Sequence, residues 1–323
     1  MSHTRGSALA ARLGKVGVWL GGLNSASAPV AQAAAAQIER LGYGALWIPE
    51  GFATREAFTH AGLLLAATHY ISVATGVANI WARDATATNA AAHTLAEAYP
   101  DRFVLGLGAS HGPEVEVRGH RYAKPLTAMR DYLDAIDAAG YDSPLPSRPV
   151  PRVLGALRPG MLALARDRAS GAHPYFVTAE HTCRAREILG EGPLLAPEQA
   201  VLLETDPATA RSLARQHYLA RSIDRPNYIN HLRALGFGED DLTGGGSDRL
   251  VDALVAWGDQ DTIRRRVLEH LDAGADHVAI QPITAAPHDL GLDQLQELSP
   301  GFPLNRGSVG TTARSRSACQ EGM

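Results

Sequence analysis

The chain has 323 residues, 45% of them hydrophobic, with 30 Lys and Arg against 34 Asp and Glu and a formal charge of −4. That length supports one large domain or two average ones around a sizeable core, and the balance of charge leaves no basic excess for a nucleic-acid groove. The longest apolar stretches, such as 61–67, fall short of a bilayer span, the N-terminus lacks a signal-peptide pattern, and Cys183 and Cys319 show neither metal-ligand spacing nor a disulfide framework. A cytoplasmic protein is therefore expected, with no nucleic acid, membrane or metal among its partners.

Short β-rich runs alternate with longer helical patterns along the chain. The runs are KVGVWL (15–20), ALWIP (45–49), ISVATGV (71–77), RFVLGLG (102–108), RVLGAL (152–157), PYFVT (174–178), QAVLLET (199–205) and HVAIQPI (277–283). Eight parallel strands with helices between them close a TIM (β/α)8 barrel, an α/β fold. A doubly wound open sheet competes with it. Its dinucleotide fingerprint is missing, because the nearest approach to G-x-G-x-x-G, GLGASHG at 106–112, lacks the third glycine.

The first helix is expected from about Pro29 to a C-terminal cap at Gly42, and another from a cap at Asp261, with Ile263, Val267, Leu268 and Leu271 on one face, to Gly274. Between the seventh and eighth strands lie about 70 residues with several helical patterns, including PATARSLARQHYL, YINHLRALGF and DRLVDALVAWG, and a TGGGS joint. These predict a helical insertion at the C-terminal face of a single domain covering 1–298. The stretch 299–323, rich in Gly, Ser, Thr and Arg, is expected to be a loose tail.

Active sites of such barrels form where the strands end, so the residues just past each strand are the candidates. Gly76 allows a bulge where a flat group approaches the backbone, or it merely lets the strand bend at the rim. In GAHPYFVTAEHTCRAREILG (171–190), a helix opens within TAEHT. Its free N–H groups, with Thr178, His181 and Thr182, suit a phosphate. The same residues suit ordinary capping by Thr178, with Glu180 as a first-turn acid. His111, in the loop after the fourth strand, is best placed to exchange a proton near neutral pH, and Glu50, after the second, is a second acid or base. Trp81, beyond the third strand, is the expected wall of an apolar pocket.

Taken in order, GVWLG, LGYGALWIPE, ATGVANIWARDATATNAAAHTLAEAYPDRFVLGLGASHG and GAHPYFVTAEHTCRAREILG resemble the luciferase-like superfamily. Within it, the chain is similar to the actinobacterial branch of coenzyme F420-dependent oxidoreductases. The likeness runs from Lys15 to Ile283 and rests on the ordered set rather than on one motif.

The resemblance implies a TIM barrel with an insertion, commonly dimeric, that binds F420 or a flavin at the C-terminal rim. It implies a non-proline cis peptide at Gly76–Val77 pressed against the ring, with Asn79 near the ring's polar edge. It also places the cofactor phosphate at the TAEHT turn, on Thr178, His181 and Thr182, with Glu180 adjacent through its backbone. Two departures accompany it. Where some sugar-phosphate dehydrogenases of the family carry an Asp-His pair after the second strand, this chain has Glu50 and Gly51, and a glutamate those enzymes place after the fourth is replaced by His111. The expected activity is hydride transfer between F420 and a small organic substrate, with His111 or Glu50 handling the proton. An FMN-dependent monooxygenase and a non-catalytic flavin-binding barrel are the alternatives.

Overall fold

Strands form where β-branched and aromatic residues cluster, and they are short because each is followed almost at once by a loop of the rim. The computed structural model describes residues 3–302 apart from 287. Its strands are β1 (Val16–Trp19), β2 (Ala45–Ile48), β3 (Ser72–Thr75), β4 (Ala78–Asn79), β5 (Phe103–Gly108), β6 (Arg152–Leu154), β7 (Gly171–Ala172), β8 (Leu194–Leu195), β9 (Glu198–Leu203), β10 (Val255–Gly258) and β11 (Val278–Pro282). They run parallel in the order β10-β9-β11-β1-β2-β3-β5-β6-β7-β8, with β4 paired to β5.

The two ends of that order meet. β8 and β9 are successive pieces of one kinked strand, in which Ala196 N donates to Ala172 O on one side and Pro197 O accepts from Ala279 N on the other. Counting β3 with β4 and β8 with β9, eight strands close the expected barrel, and β10 is a ninth that flanks β9 beyond the end of β7.

Alternation along the strands divides the core in two. Trp47, Ala74, Val104, Val153 and Ala279 fill the barrel interior, while Leu46, Val73, Phe103, Leu105 and Ile280 pack beneath the surrounding helices. A helix at His3–Leu13, not expected from the sequence, brings Leu9 and Leu13 into the interior cluster. Burying each such leucine contributes about 1.5–3 kcal/mol, which is why so short a segment holds its place.

Several boundaries differ from the sequence reading. The sixth strand is Gly171–Ala172, not 174–178, because the chain turns aside at Tyr175–Phe176, where Phe176 takes a φ of 63°. The run DRLVDALVAWG splits into a helix, Asp248–Leu254, and strand β10. Asp259 rather than Asp261 caps the following helix, Gln260–Asp272, by accepting from Thr262 N at 2.8 Å. Helices Pro207–His217, Pro226–Ala234, Glu239–Leu242 and Asp248–Leu254 occupy the expected insertion, and they share a second core with Phe176 and Tyr218. Phe302 is buried against the main core, so the ordered chain continues past 298; the rest of the expected tail lies outside the described residues.

Candidate active site

The C-terminal ends of the strands open into a cavity of about 830 Å3. Its floor comes from the ends of β1 and β3, its walls from the loops after β2, β5 and β6, and its roof from 221–228 of the insertion.

The floor is a hump of backbone. The peptide bond between Gly76 and Val77 is cis and lies in the two-residue gap between β3 and β4. Gly76 N donates to Ile48 O at 2.7 Å, and Gly76 O accepts from Trp19 Nε1 at 2.9 Å. Thr75 Oγ1 donates to Gly106 O at 2.7 Å and accepts from Gly106 N at 2.8 Å, so a side chain supplies the link to β5 that the ladder lacks there. Close approach explains the glycines. A Cβ at position 76 would lie 3.1 Å from Trp19 Nε1 and 3.2 Å from His173 Nε2, and one at position 108 would lie 2.3 Å from Val77 Cγ2. Gly76, Val77 and Asn79 all line the cavity.

Aromatic residues underlie the hump. His173 stacks on Trp47 with centroids 4.3 Å apart and an interplanar angle of 11°. Its Nδ1 lies 2.7 Å from Ala196 O, and since a carbonyl only accepts, that nitrogen carries the proton. Nε2 is then a bare acceptor, buried and without a partner beneath the cavity. Burial pushes the imidazole down to about 4, so it is neutral.

Glu50 stands at the rim, as its position after β2 requires, but its carboxylate is fully engaged. It accepts from both terminal nitrogens of Arg83, from Asn79 N at 2.8 Å and from Ala57 N at 3.4 Å, and its side chain is only 3% exposed. It is a strut joining the loops after β2 and β4, and this occupation leaves no lone pair directed at the cavity for acid–base work. Asn79 Oδ1 accepts from Trp81 N at 2.9 Å. Trp81 does not wall the cavity; its Nε1 donates to Ala109 O at 3.0 Å, tethering the loop after β5 from behind.

His111 lines the cavity, with Nδ1 3.0 Å from Asn227 Oδ1 in the insertion. Burial, then the charge of Arg225, lowers its pKa, which makes it neutral at physiological pH and a base rather than an acid. Nearby, Glu114 pairs with Arg225 at 2.6 Å.

The turn at 178–182 differs most from expectation. Thr178 Oγ1 caps its own helix by accepting from His181 N at 3.3 Å, Thr182 Oγ1 contacts His270 Nδ1 at 2.8 Å inside the protein, and Glu180 turns outward to Arg184. None of Thr178, Glu180, His181 and Thr182 lines the cavity. The segment that does is Leu157–Met161, where Arg158 precedes the helix Pro159–Arg168.

His181 is one layer behind that segment, its Nε2 2.8 Å from Leu157 O. It meets His231 edge to face at 4.6 Å. His181 Nδ1 and His231 Nε2 are both buried without partners, and Arg158 is among the charges that, after burial and His181, hold His231 down at about 3.

The sequence reading missed Arg158, His173, Tyr175, Tyr228 and Glu198. Only Glu198 left a readable trace, as a charged residue at the head of an apolar run. Among the described residues there is no cluster of metal-ligating side chains and no helix long and apolar enough to cross a membrane.

Comparison with known proteins places the chain in a family. The family model for luciferase-like monooxygenases matches residues 15–277, and the chain belongs to that family. A curated relative, 5,10-methylenetetrahydromethanopterin reductase of Methanolobus tindarius, is 26% identical over 280 residues, covering 74% of this chain and 86% of that one. Among solved structures, an F420-dependent secondary alcohol dehydrogenase in complex with an F420-acetone adduct superposes with a TM-score of 0.72 at 14% identity, covering 91% and 99% of the two chains. The oxygenating constituent of 3,6-diketocamphane monooxygenase of Pseudomonas putida, in complex with FMN, gives 0.66 at 16% identity over 88% and 95%. At these identities the solved structures speak for the fold.

Proposed function

We propose that the protein is an F420-dependent oxidoreductase that transfers hydride between the deazaflavin and a small organic substrate. The observation that carries this reading is the cavity of about 830 Å3 at the C-terminal ends of the strands, lined by Gly76, Val77 and Asn79, a space of cofactor size. A curated Mycobacterium tuberculosis relative described as a putative coenzyme F420-dependent oxidoreductase, 30% identical over 189 residues, supports F420 in particular.

The residues present fit such a cofactor. Gly76 and Val77 would lie against the ring, and Asn79, its Oδ1 already engaged by Trp81, would offer its amide Nδ2 to the ring's polar edge. His173 Nε2 is an unpaired acceptor on the same floor. The anionic tail would be held by Arg158 and by Gly160 N–H in the first turn of Pro159–Arg168, since Pro159 has no N–H and Met161 N and Leu162 N already donate to Arg158 O. When bound, F420 supplies hydride exchange at C5 of its ring. The protein's part is to exclude water beneath the roof, present one ring face and manage a proton.

Parallel titration of the purified protein with F420 and FMN, followed by cofactor fluorescence, tests this. Selective binding of F420 is expected, weakened at least about tenfold in Arg158→Ala if that guanidinium holds the tail. Selective binding of FMN, with oxygen consumed by the reduced complex, would replace the reading by a monooxygenase. Binding of either without turnover over a broad substrate panel would leave a non-catalytic barrel. Part of the same reading is a homodimer in the cytoplasm, which sedimentation of the full chain tests.

A further inference from the structure

The lining of the cavity is divided by polarity. Its floor and walls are largely apolar, with Val77, Ala156, Leu157 and Met161 among them. The roof instead contributes Arg221, Ser222, Arg225, Asn227 and Tyr228, each of which carries a polar group. Two of these are engaged, Arg225 by Glu114 at 2.6 Å and Asn227 Oδ1 by His111 at 3.0 Å. Arg221 and Ser222 are not. The Arg221 guanidinium makes no hydrogen bond or ion pair with any described residue. The Ser222 hydroxyl likewise has no partner, although the residue is only 4% exposed.

Five fully charged residues line the cavity, and their pairing shows what is missing. Glu50 is matched by Arg83 and Glu114 by Arg225. That leaves Arg158 and Arg221 uncompensated, both positive. Arg158 stands at the wall, where the anionic tail of the cofactor is assigned above. Arg221 stands elsewhere. Its charge reaches the hydroxyl of Tyr175, whose ring tilts against Trp19 with centroids 5.3 Å apart, and Trp19 Nε1 in turn holds Gly76 O. The series Gly76, Trp19, Tyr175, Arg221 therefore climbs from floor to roof beside the space above the hump. Once a cofactor displaces water from that space, an unpaired guanidinium loses hydration and gains most from an anion.

Resting on the hydride-transfer reading above, we propose that the substrate carries a carboxylate, which Arg221 binds from the roof with the Ser222 hydroxyl as a further donor. A planar guanidinium matches the two oxygens and single charge of a carboxylate. A phosphate monoester brings about −1.5 to −2 charge, more than the one unpaired cation on this side can offset. The largely apolar walls set the rest of the molecule, a compact hydrocarbon body rather than a sugar. Held by its carboxylate at the roof, such a substrate lays its reducible bond across the open face of the ring below.

Calorimetric titration of the full chain with benzoate, benzamide and phenyl phosphate, with and without F420, tests this. The Arg221 side chain has no polar partner to lose, so Arg221→Gln should fold as wild type does, which thermal unfolding checks. Wild type should bind benzoate at least about tenfold more tightly than benzamide, and Arg221→Gln should erase that preference at unchanged F420 affinity. Arg158→Ala should do the converse. Equal binding of benzoate and benzamide by wild type, or a preference that survives Arg221→Gln, overturns the proposal. So does a loss of F420 affinity in Arg221→Gln to match that in Arg158→Ala, because both arginines then hold the cofactor tail. Tighter binding of phenyl phosphate than of benzoate overturns the choice of carboxylate. An Arg221-dependent preference for benzoate in a protein that selects FMN overturns the F420 reaction and supports the carboxylate site, whereas selective F420 binding without the preference overturns the site alone. In turnover with reduced F420, 3-oxocyclohex-1-ene-1-carboxylate should show a KM at least about tenfold below that of 2-cyclohexenone. Arg221→Gln should remove that difference by raising the KM of the acid alone, and a wild-type ratio in the variant sinks the assignment.

Discussion

The floor and the roof of the cavity are built by different physics. The floor is held by neutral hydrogen bonds inside the barrel: Trp19 Nε1 to Gly76 O, Gly76 N to Ile48 O, and Thr75 Oγ1 to the backbone of Gly106. The roof is held at its edge by polar and charged contacts, His111 with Asn227 and Glu114 with Arg225, and both of those charged side chains are more than a quarter exposed. A buried neutral bond is little affected by salt, whereas a partly exposed ion pair is screened and marginal. The floor is therefore fixed and the roof is the part able to yield, as a site that must admit a large cofactor and release a product requires.

Acid is the broadest way to break that contrast, because it attacks both regions. Burial holds His173 under the floor and His181 behind the wall at about 4, and His231 beside the roof at about 3. These folded values lie below the unfolded value of about 6.5. The unfolded chain therefore takes up protons first, so the stability these groups confer is complete above about 6.5 and is lost as pH falls toward 4 and below. Chemical denaturation at stepped pH should show a steep decline between 6.5 and 4. A flat profile over that range would mean that these imidazoles are not kept neutral in the folded state.

Next in size is the strut. Glu50→Ala leaves Arg83 with Glu56 and the face of the Phe58 ring and removes the acceptor for Asn79 N. A cost of about 2–3 kcal/mol is expected from lost hydrogen bonds to a charged group, together with weaker cofactor binding as Asn79 loosens. Glu50→Gln should recover part of it by keeping an oxygen for Arg83. If Glu50→Ala is as stable as wild type, yet catalytically dead, then Glu50 is an acid or base after all.

Packing tests the floor alone. Gly108→Ala puts a Cβ 2.3 Å from Val77 Cγ2, so the Val77 side chain on the hump must shift. The overpacking should cost about 1–3 kcal/mol in denaturation, with cofactor affinity falling more than stability suggests. Retained affinity would show that Val77 does not touch the ring.

How much of this was legible in the sequence follows from how far apart the interacting residues lie. Strand periodicity and short helix-to-strand links are local, so the barrel and most of its strands could be read directly. Gly76 showed as an isolated glycine at the end of a buried run, and the resemblance assigned the peptide. The sixth strand was misplaced because PYFVT has β-type composition, yet Tyr175 and Phe176 are spent on the cavity and on the insertion core. Thr178 and Thr182 carry the hydroxyls a phosphate wants, and nothing local revealed that Thr182 is taken by His270, 88 residues away. Separation in sequence also hid Arg158, which only the fold brings to the cavity, and Glu198, whose partners Phe176 and Tyr218 lie 22 and 20 residues away on either side.

The smallest expected effect bears on the roof. Glu114→Gln removes the charge opposite Arg225 and should change stability by about 0.2–1 kcal/mol or less, because the pair is partly solvated. Its effect on the site should be kinetic. With the Arg225 contact weakened, the insertion keeps the contacts of His111 with Asn227 and Tyr228 to the loop after β5 but loses its charged one, so cofactor association and dissociation should both accelerate while affinity changes little. Stopped-flow fluorescence at low and high salt measures this. Wild type at high salt should resemble Glu114→Gln at low salt, and Gly108→Ala should show no such equivalence, since nothing in the floor is screened. If salt leaves both rates of the wild type unchanged, the roof is as rigid as the floor and the contrast between them fails.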